Sequence, residues 1–206
     1  FRATLPGAAK TLPALPVGLA SSAPTSGMSS PSAGAAVDWR EELPGHISED
    51  VCKACLEMSR RVAVAGLDEK RPHHGFTMVI GDEDQLASCG SSSFNPFLGH
   101  DIRILNADGE LDDENFDVVR RNAFWADGAI LVNGTTGRIV ASGWFVNDLR
   151  KGGTKGGART RSARAVAQQG GGCFVIKCSE DSQGQLDLFI GDQKRQYSRS
   201  SSPSVL

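Results

Sequence analysis

Two stretches of this chain carry residue types able to do chemistry together. Asp127-Gly128-Ala129 opens an apolar run, Ala129-Ile130-Leu131-Val132. Gly157-Ala158-Arg159-Thr160-Arg161 follows a glycine-rich loop and opens a helix-like run, Ser162 to Gln169. Arginines and open backbone N–H groups at a helix start can hold phosphates. A carboxylate at a strand start can hold a divalent metal or take a proton from an attacking hydroxyl. Asp-Gly is also a common turn, and arginines are commonly solvated. Yet cations at a helix N-terminus oppose the helix dipole, and a bound anion would account for Arg159 and Arg161. The combination reads as nucleotide binding, with nucleotidyl transfer as the reaction it would serve.

Other motifs lead elsewhere or nowhere. Gly152-Gly153-Thr154-Lys155-Gly156-Gly157 is not a P-loop, because Lys155 precedes the last glycines. Cys52-Lys53-Ala54-Cys55 lies inside an expected helix and has no second pair at zinc spacing, so it reads as core. Cys173 and Cys178 stand an odd number of strand positions apart and should face opposite sides. His73-His74 has no ligand pattern and reads as loop. Asn106-Ala107-Asp108-Gly109 would place Ile104 and Asn115 at calcium-ligand positions, so it is a turn.

The elements that must position these residues follow from periodicity. Ser48 can cap a helix whose apolar face is Val51, Cys55, Met58 and Val62, with Gly66 as its stop. Phe76–Ile80 reads as a buried strand. Residues 83–100 read as irregular and His100 to Leu105 as a short strand. Asp112 or Asp113 caps a helix with Phe116, Val119 and Ala123 on one face. Ala129–Val132 and Ile139–Gly143 form a hairpin around Asn133-Gly134-Thr135-Thr136-Gly137. Cys173–Lys177 and Leu186–Ile190 are the last two strands. The expectation is an α/β fold, a single domain with a mixed central β-sheet flanked by helices. Asp127 and Arg159 should lie close together.

The chain has 206 residues, enough for one domain with a real core. Its 22 basic and 24 acidic residues give a net charge of −2, and no long basic block points to nucleic acid. Five cysteines, an odd count, read as reduced thiols, and Asn133-Gly134-Thr135 as a turn rather than a glycosylation site. No apolar run approaches the ~20 residues of a membrane helix. The chain opens on Phe1, so its true start is expected upstream. Residues 1–44 read as a disordered or transit-like segment, rich in Ala, Ser, Pro and Gly with no carboxylate before Asp38. Residues 45–192 are the expected domain, and 193–206 a disordered Ser/Arg-rich tail. The expected compartment is intracellular: cytoplasm, or an organelle if the leader is a transit peptide.

From about Gly75 to Asp192 the chain resembles the nucleotide-binding domain of DisA-type diadenylate cyclases. The matching pieces, in order, are His74-Gly75-Phe76-Thr77-Met78-Val79-Ile80-Gly81-Asp82, Asn95-Pro96-Phe97-Leu98-Gly99-His100, Ala126-Asp127-Gly128-Ala129 and Gly157-Ala158-Arg159-Thr160-Arg161-Ser162-Ala163. The strand pair Phe174-Val175-Ile176 and Leu186-Asp187-Leu188-Phe189-Ile190 completes the set. The resemblance implies the mixed sheet of that family. It implies two ATP molecules meeting across a face-to-face homo-oligomer, each 3′-hydroxyl attacking the other's α-phosphate to give cyclic di-AMP. Asp127 would hold Mg²⁺ or Mn²⁺ and assist the hydroxyl. Gly128, Ala129, Gly157, Ala158, Arg159, Thr160 and Arg161 would bind the nucleotide. No membrane or nucleic-acid partner is implied. Thr160 stands where the family has histidine, and Ala158 where threonine is frequent. Losing one phosphate contact would slow the enzyme or leave a nucleotide sensor. A non-enzymatic adaptor working through its polar ends is the reading from another class.

Overall fold

The computed structural model describes residues 38–68, 75–92, 100–169, 172–179 and 185–197. The expectations for residues 1–37, His73-His74, Asn95-Pro96 and 198–206 lie outside these.

Helix α1 (Glu49–Asp68) begins behind Ser48, whose hydroxyl accepts from the Val51 N–H at 3.4 Å, with Glu49 and Asp50 favourably placed in its first turn. It runs through Gly66 instead of stopping there. Its residues Val51, Cys55, Met58 and Val62 are all buried. Strand β1 (Phe76–Gly81) is buried at every position, as a central strand covered on both faces must be. Asp82 then caps a short helix, α2 (Glu83–Cys89), which leads into β2 (Gly90–Ser92). Both fall within the stretch expected to be irregular. Conversely, His100 to Leu105 is not a strand. Only the isolated pairings Arg103 with Arg138 and Leu105 with Leu111 form there, because the chain turns at Asn106 to Glu110.

Asp112 caps α3 (Asp113–Trp125), accepting from the Asn115 N–H at 3.0 Å. The hairpin of β3 (Ala129–Asn133) and β4 (Ile139–Val146) turns where Asn133 accepts from the N–H groups of Thr135 and Thr136. Helix α4 (Ala158–Gln169) is followed by β5 (Phe174–Cys178), β6 (Leu186–Ile190) and β7 (Gln193–Tyr197). The sheet order is β2-β4-β3-β1-β5-β6-β7, with β1 and β3 parallel and every other neighbour antiparallel. One face packs on α1 and α3 through Phe76, Met78, Ile80, Phe174 and Ile176. The other packs on α2 and α4 through Val79, Val175 and Phe189. Alanines 163, 165 and 167 let α4 lie close to that face. The result is a mixed α/β domain of three layers. Among the described residues no helix is long and apolar enough to cross a membrane.

The domain reaches beyond both boundaries expected from composition. A 3-10 turn over Trp39–Glu42 packs the Trp39 ring 5.3 Å from that of Phe174. Strand β7 starts at Gln193, inside the stretch read as tail, and Arg195 ion-pairs with Glu42. Polar composition hid β7 because an edge strand needs no apolar face when its neighbour supplies the pairing.

Candidate functional site

Two of the expected site segments, Asp127 to Ala129 and Arg159, lie toward the end of the sheet where β1 and β3 begin and β5 ends. Thr77 pairs with Ala129 in parallel register. Gly75 lies just before β1 and Asp127 two residues before β3, so both precede this pair at the same end of the sheet. On the other side of β1, Phe76 pairs with Cys178.

Arg159, in the first turn of α4, reaches this point. Its Nη1 lies 2.6 Å from where a β-carbon on Gly75 would stand, and the Cys178 carbonyl oxygen lies 3.0 Å from the same spot. The guanidinium is seated on a buried glycine at the start of β1. Asp127 is exposed, and its Oδ1 accepts from the Gly128 N–H at 3.0 Å. Arg159 thus reaches the start of β1, and Asp127 precedes the start of the parallel neighbour β3.

Other expected site residues have structural duties. Gly128 has φ +101°, and a β-carbon there would meet the Gly143 carbonyl carbon at 2.7 Å and the Trp144 oxygen at 2.8 Å. The close backbone approach is to β4, so no ligand is needed to explain this glycine. Ala129 buries its methyl in the core beneath α4 and pairs with Thr77 and Trp144, which removes its side chain from the surface. Gly157 is exposed with open space around its α-carbon, and its carbonyl accepts from the Arg161 N–H at 3.1 Å. Ala158 is exposed. Arg161 packs its backbone on Gly152, where a β-carbon would come within 1.9 Å of the Arg161 oxygen, and its buried Nε has no hydrogen-bond acceptor among the described residues. The first turn of α4 holds no carboxylate.

Thr160 turns inward. Its methyl lies 2.9 Å from where a β-carbon on Gly156 would be, and its hydroxyl accepts from Lys177 Nζ at 3.1 Å. Lys177 also donates to Asp187 Oδ2 at 2.7 Å, and Lys194 reaches that same oxygen at 3.0 Å. The Lys177 and Asp187 side chains are 5% and 9% exposed, so this is a buried ion pair under the helix start. Sequence reasoning missed it. The available signal was one Lys within Phe174-Val175-Ile176-Lys177-Cys178 and one Asp within Leu186-Asp187-Leu188, which the β5–β6 register sets opposite each other.

All five cysteines are buried thiols. Burial pushes Cys52 and Cys173 up to about 12. Burial pushes Cys178 to about 11, with the charges of Lys177 and Arg159 pulling partly against it. Such thiols stay neutral and unreactive near pH 7. Cys173 and Cys178 do face opposite sides of the sheet.

A cavity of about 630 Å³ lies between α2 and β4, lined by Leu131, Val140, Ala141 and Trp144 with Ser91, Ser92, His100 and Asp101. None of the eight expected site residues lines it, but Trp144 is common to it and to the backbone that covers Gly128.

No protein-family model matches this chain, and no curated protein matches it. Among solved structures it is similar to a hypothetical membrane spanning protein from Bacillus cereus, with a TM-score of 0.55 at 12% identity over 78% of this chain and 68% of that one. A second likeness is to a double mutant of DacA from Staphylococcus aureus, with a TM-score of 0.44 at 17% identity over 72% of this chain and 86% of that one. The first shows a shared fold and nothing finer. The second is too slight to bear on function.

Proposed function

We propose that the chain binds ATP where Gly75, Asp127 and Arg159 converge, and that two such sites, face to face in a homodimer, join two ATP molecules into cyclic di-AMP. The observation that carries this reading is the Arg159 guanidinium seated on Gly75 just before β1, with Asp127 just before its parallel neighbour β3. A cation beside an acid at a helix start matches a reaction that needs phosphate neutralisation and placement more than covalent help. Each 3′-oxygen bonds to the other nucleotide's α-phosphorus as the bond to pyrophosphate breaks, and Asp127 accepts the departing hydroxyl proton. Arg159 and Arg161 hold the phosphates. The cavity between α2 and β4 is of a size that suits a small ligand and has apolar and polar walls. Its link to this site is Trp144, whose backbone covers Gly128, and the nucleoside is assigned to it on that link.

Asp127 also fits a divalent cation. Magnesium is held by one or two carboxylates plus substrate phosphates, and Asp127 is exposed, its Oδ1 taking only the Gly128 N–H among the described residues. When bound, Mg²⁺ or Mn²⁺ would neutralise phosphate charge there. Incubation with ATP and either metal, followed by mass spectrometry, tests the reading: cyclic di-AMP is the expected product.

A binding-only version of the same site is favoured by one observation, the inward turn of Thr160 to Lys177, which takes one side chain away from the ligand. ATP binding without product would establish that sensor. Absence of binding would return the chain to the adaptor class.

A further inference from the structure

We infer that Lys177 is a positioning residue for the phosphate end of this site: anchored by Asp187, it fixes Thr160 and with it the first turn of α4, and it adds positive charge beneath that turn. The inference rests on the nucleotide reading above.

A buried ion pair seldom stabilises a fold better than apolar packing would, and apart from its cross-strand neighbour Thr77 the face around Lys177 is largely apolar, with Val175, Phe189 and Ala163 in its core. The pair therefore needs a reason other than stability. Asp187 does not require Lys177 as its counterion, because Lys194 reaches the same oxygen from the rim at 3.0 Å. Lys177, by contrast, has Asp187 as its only carboxylate among the described residues. Two ammonium groups share one carboxylate, so a net positive charge stays under the helix start. An ammonium has three donors, and the described acceptors of Lys177 are two, Asp187 and Thr160. The buried Nε of Arg161, one residue beyond Thr160, likewise has no acceptor among the described residues. The helix start thus has more donor capacity and positive charge than the described residues use, as a phosphate site should.

The test is calorimetric titration of ATP, tripolyphosphate and adenosine into the full chain and into Lys177→Met, Thr160→Val and the double variant. Lys177→Met leaves Asp187 paired with Lys194. Thr160→Val keeps shape and breaks only the hydroxyl contact, so it decides the matter should Lys177→Met fail to fold. Both single variants are expected to weaken ATP and tripolyphosphate about tenfold or more, the scale of a charge-assisted contact, and to leave adenosine unchanged. The double variant should lose no more than the worse single one, because Lys177→Met already removes the Thr160 contact. Unchanged ATP affinity in folded single variants, additive losses, or an equal loss for adenosine would overturn the role of Lys177 while leaving the nucleotide site standing. A parent chain that binds neither ATP nor tripolyphosphate overturns the nucleotide reading itself, and this inference with it.

Discussion

Gly75 and Arg159 are a seat and its occupant: Nη1 of the arginine stands 2.6 Å from the point a β-carbon on residue 75 would claim. Gly75→Ala should displace the guanidinium, the flexible group closest to the new β-carbon, and press more gently on the Cys178 carbonyl oxygen at 3.0 Å. Loss of one charge-assisted phosphate contact corresponds to about 1.5–3 kcal/mol, or roughly 10–100-fold weaker ATP binding. Calorimetry should show the same loss in Arg159→Ala, and a double variant no worse than either.

Asp127→Asn keeps the shape of the carboxylate and removes its charge. Product formation should fall by at least ~10²-fold, the low end for a positioned acid–base group. ATP binding should persist, because Arg159, Arg161 and the helix start remain. Parallel rate and binding measurements check this, and loss of both together would mean that Asp127 only maintains the turn.

Gly128→Ala tests the opposite kind of role. A β-carbon there meets the backbone of Gly143 and Trp144 below 3.0 Å at a φ of +101°. Left-handed strain and overpacking each cost about 1–3 kcal/mol, so the melting temperature should drop by roughly 5 °C or more with no ligand present. A ligand-contact glycine would instead leave thermal stability unchanged.

The buried thiols set an alkaline limit. Cys52 and Cys173 sit at about 12 and Cys178 at about 11, against an ordinary value of 9.0 in the unfolded chain. Their folded values are raised, so their contribution is complete below pH 9 and is lost as pH climbs toward 11–12. By about pH 10 the unfolded chain gains about 1 kcal/mol for each such thiol. The urea midpoint should therefore fall between about pH 8.5 and 10.5, and less steeply in Cys178→Ala.

Strong local signals made most of the sheet legible. Phe76–Ile80, the Asn133-to-Gly137 hairpin and the Phe174 and Leu186 strands are apolar runs bounded by turn residues, and each forms as expected. Helix α2 escaped notice because only Leu86 and Cys89 turn inward, too few to display a period. The polar strand β7 draws its position from β6, a relation between segments that neither segment displays alone. For the same reason the Lys177–Asp187 pair emerges only with the register. It also alters the meaning of Thr160. The sequence shows a residue lacking charge, whereas the structure sets an ammonium 3.1 Å from its oxygen.

The centre of the sheet has a kinetic consequence. Strand β1 finds its partners far along the chain: Thr77 pairs with Ala129 on one side and with Lys177 on the other. The β3–β4 and β5–β6–β7 hairpins close short loops, whereas seating β1 between them closes long ones, and such non-local pairing slows folding. Gly75 takes its place only when β1 does, and Arg159 has no seat until then. Recovery of nucleotide binding after dilution from denaturant should therefore trail the recovery of secondary structure, making ligand affinity a late marker of a completed chain.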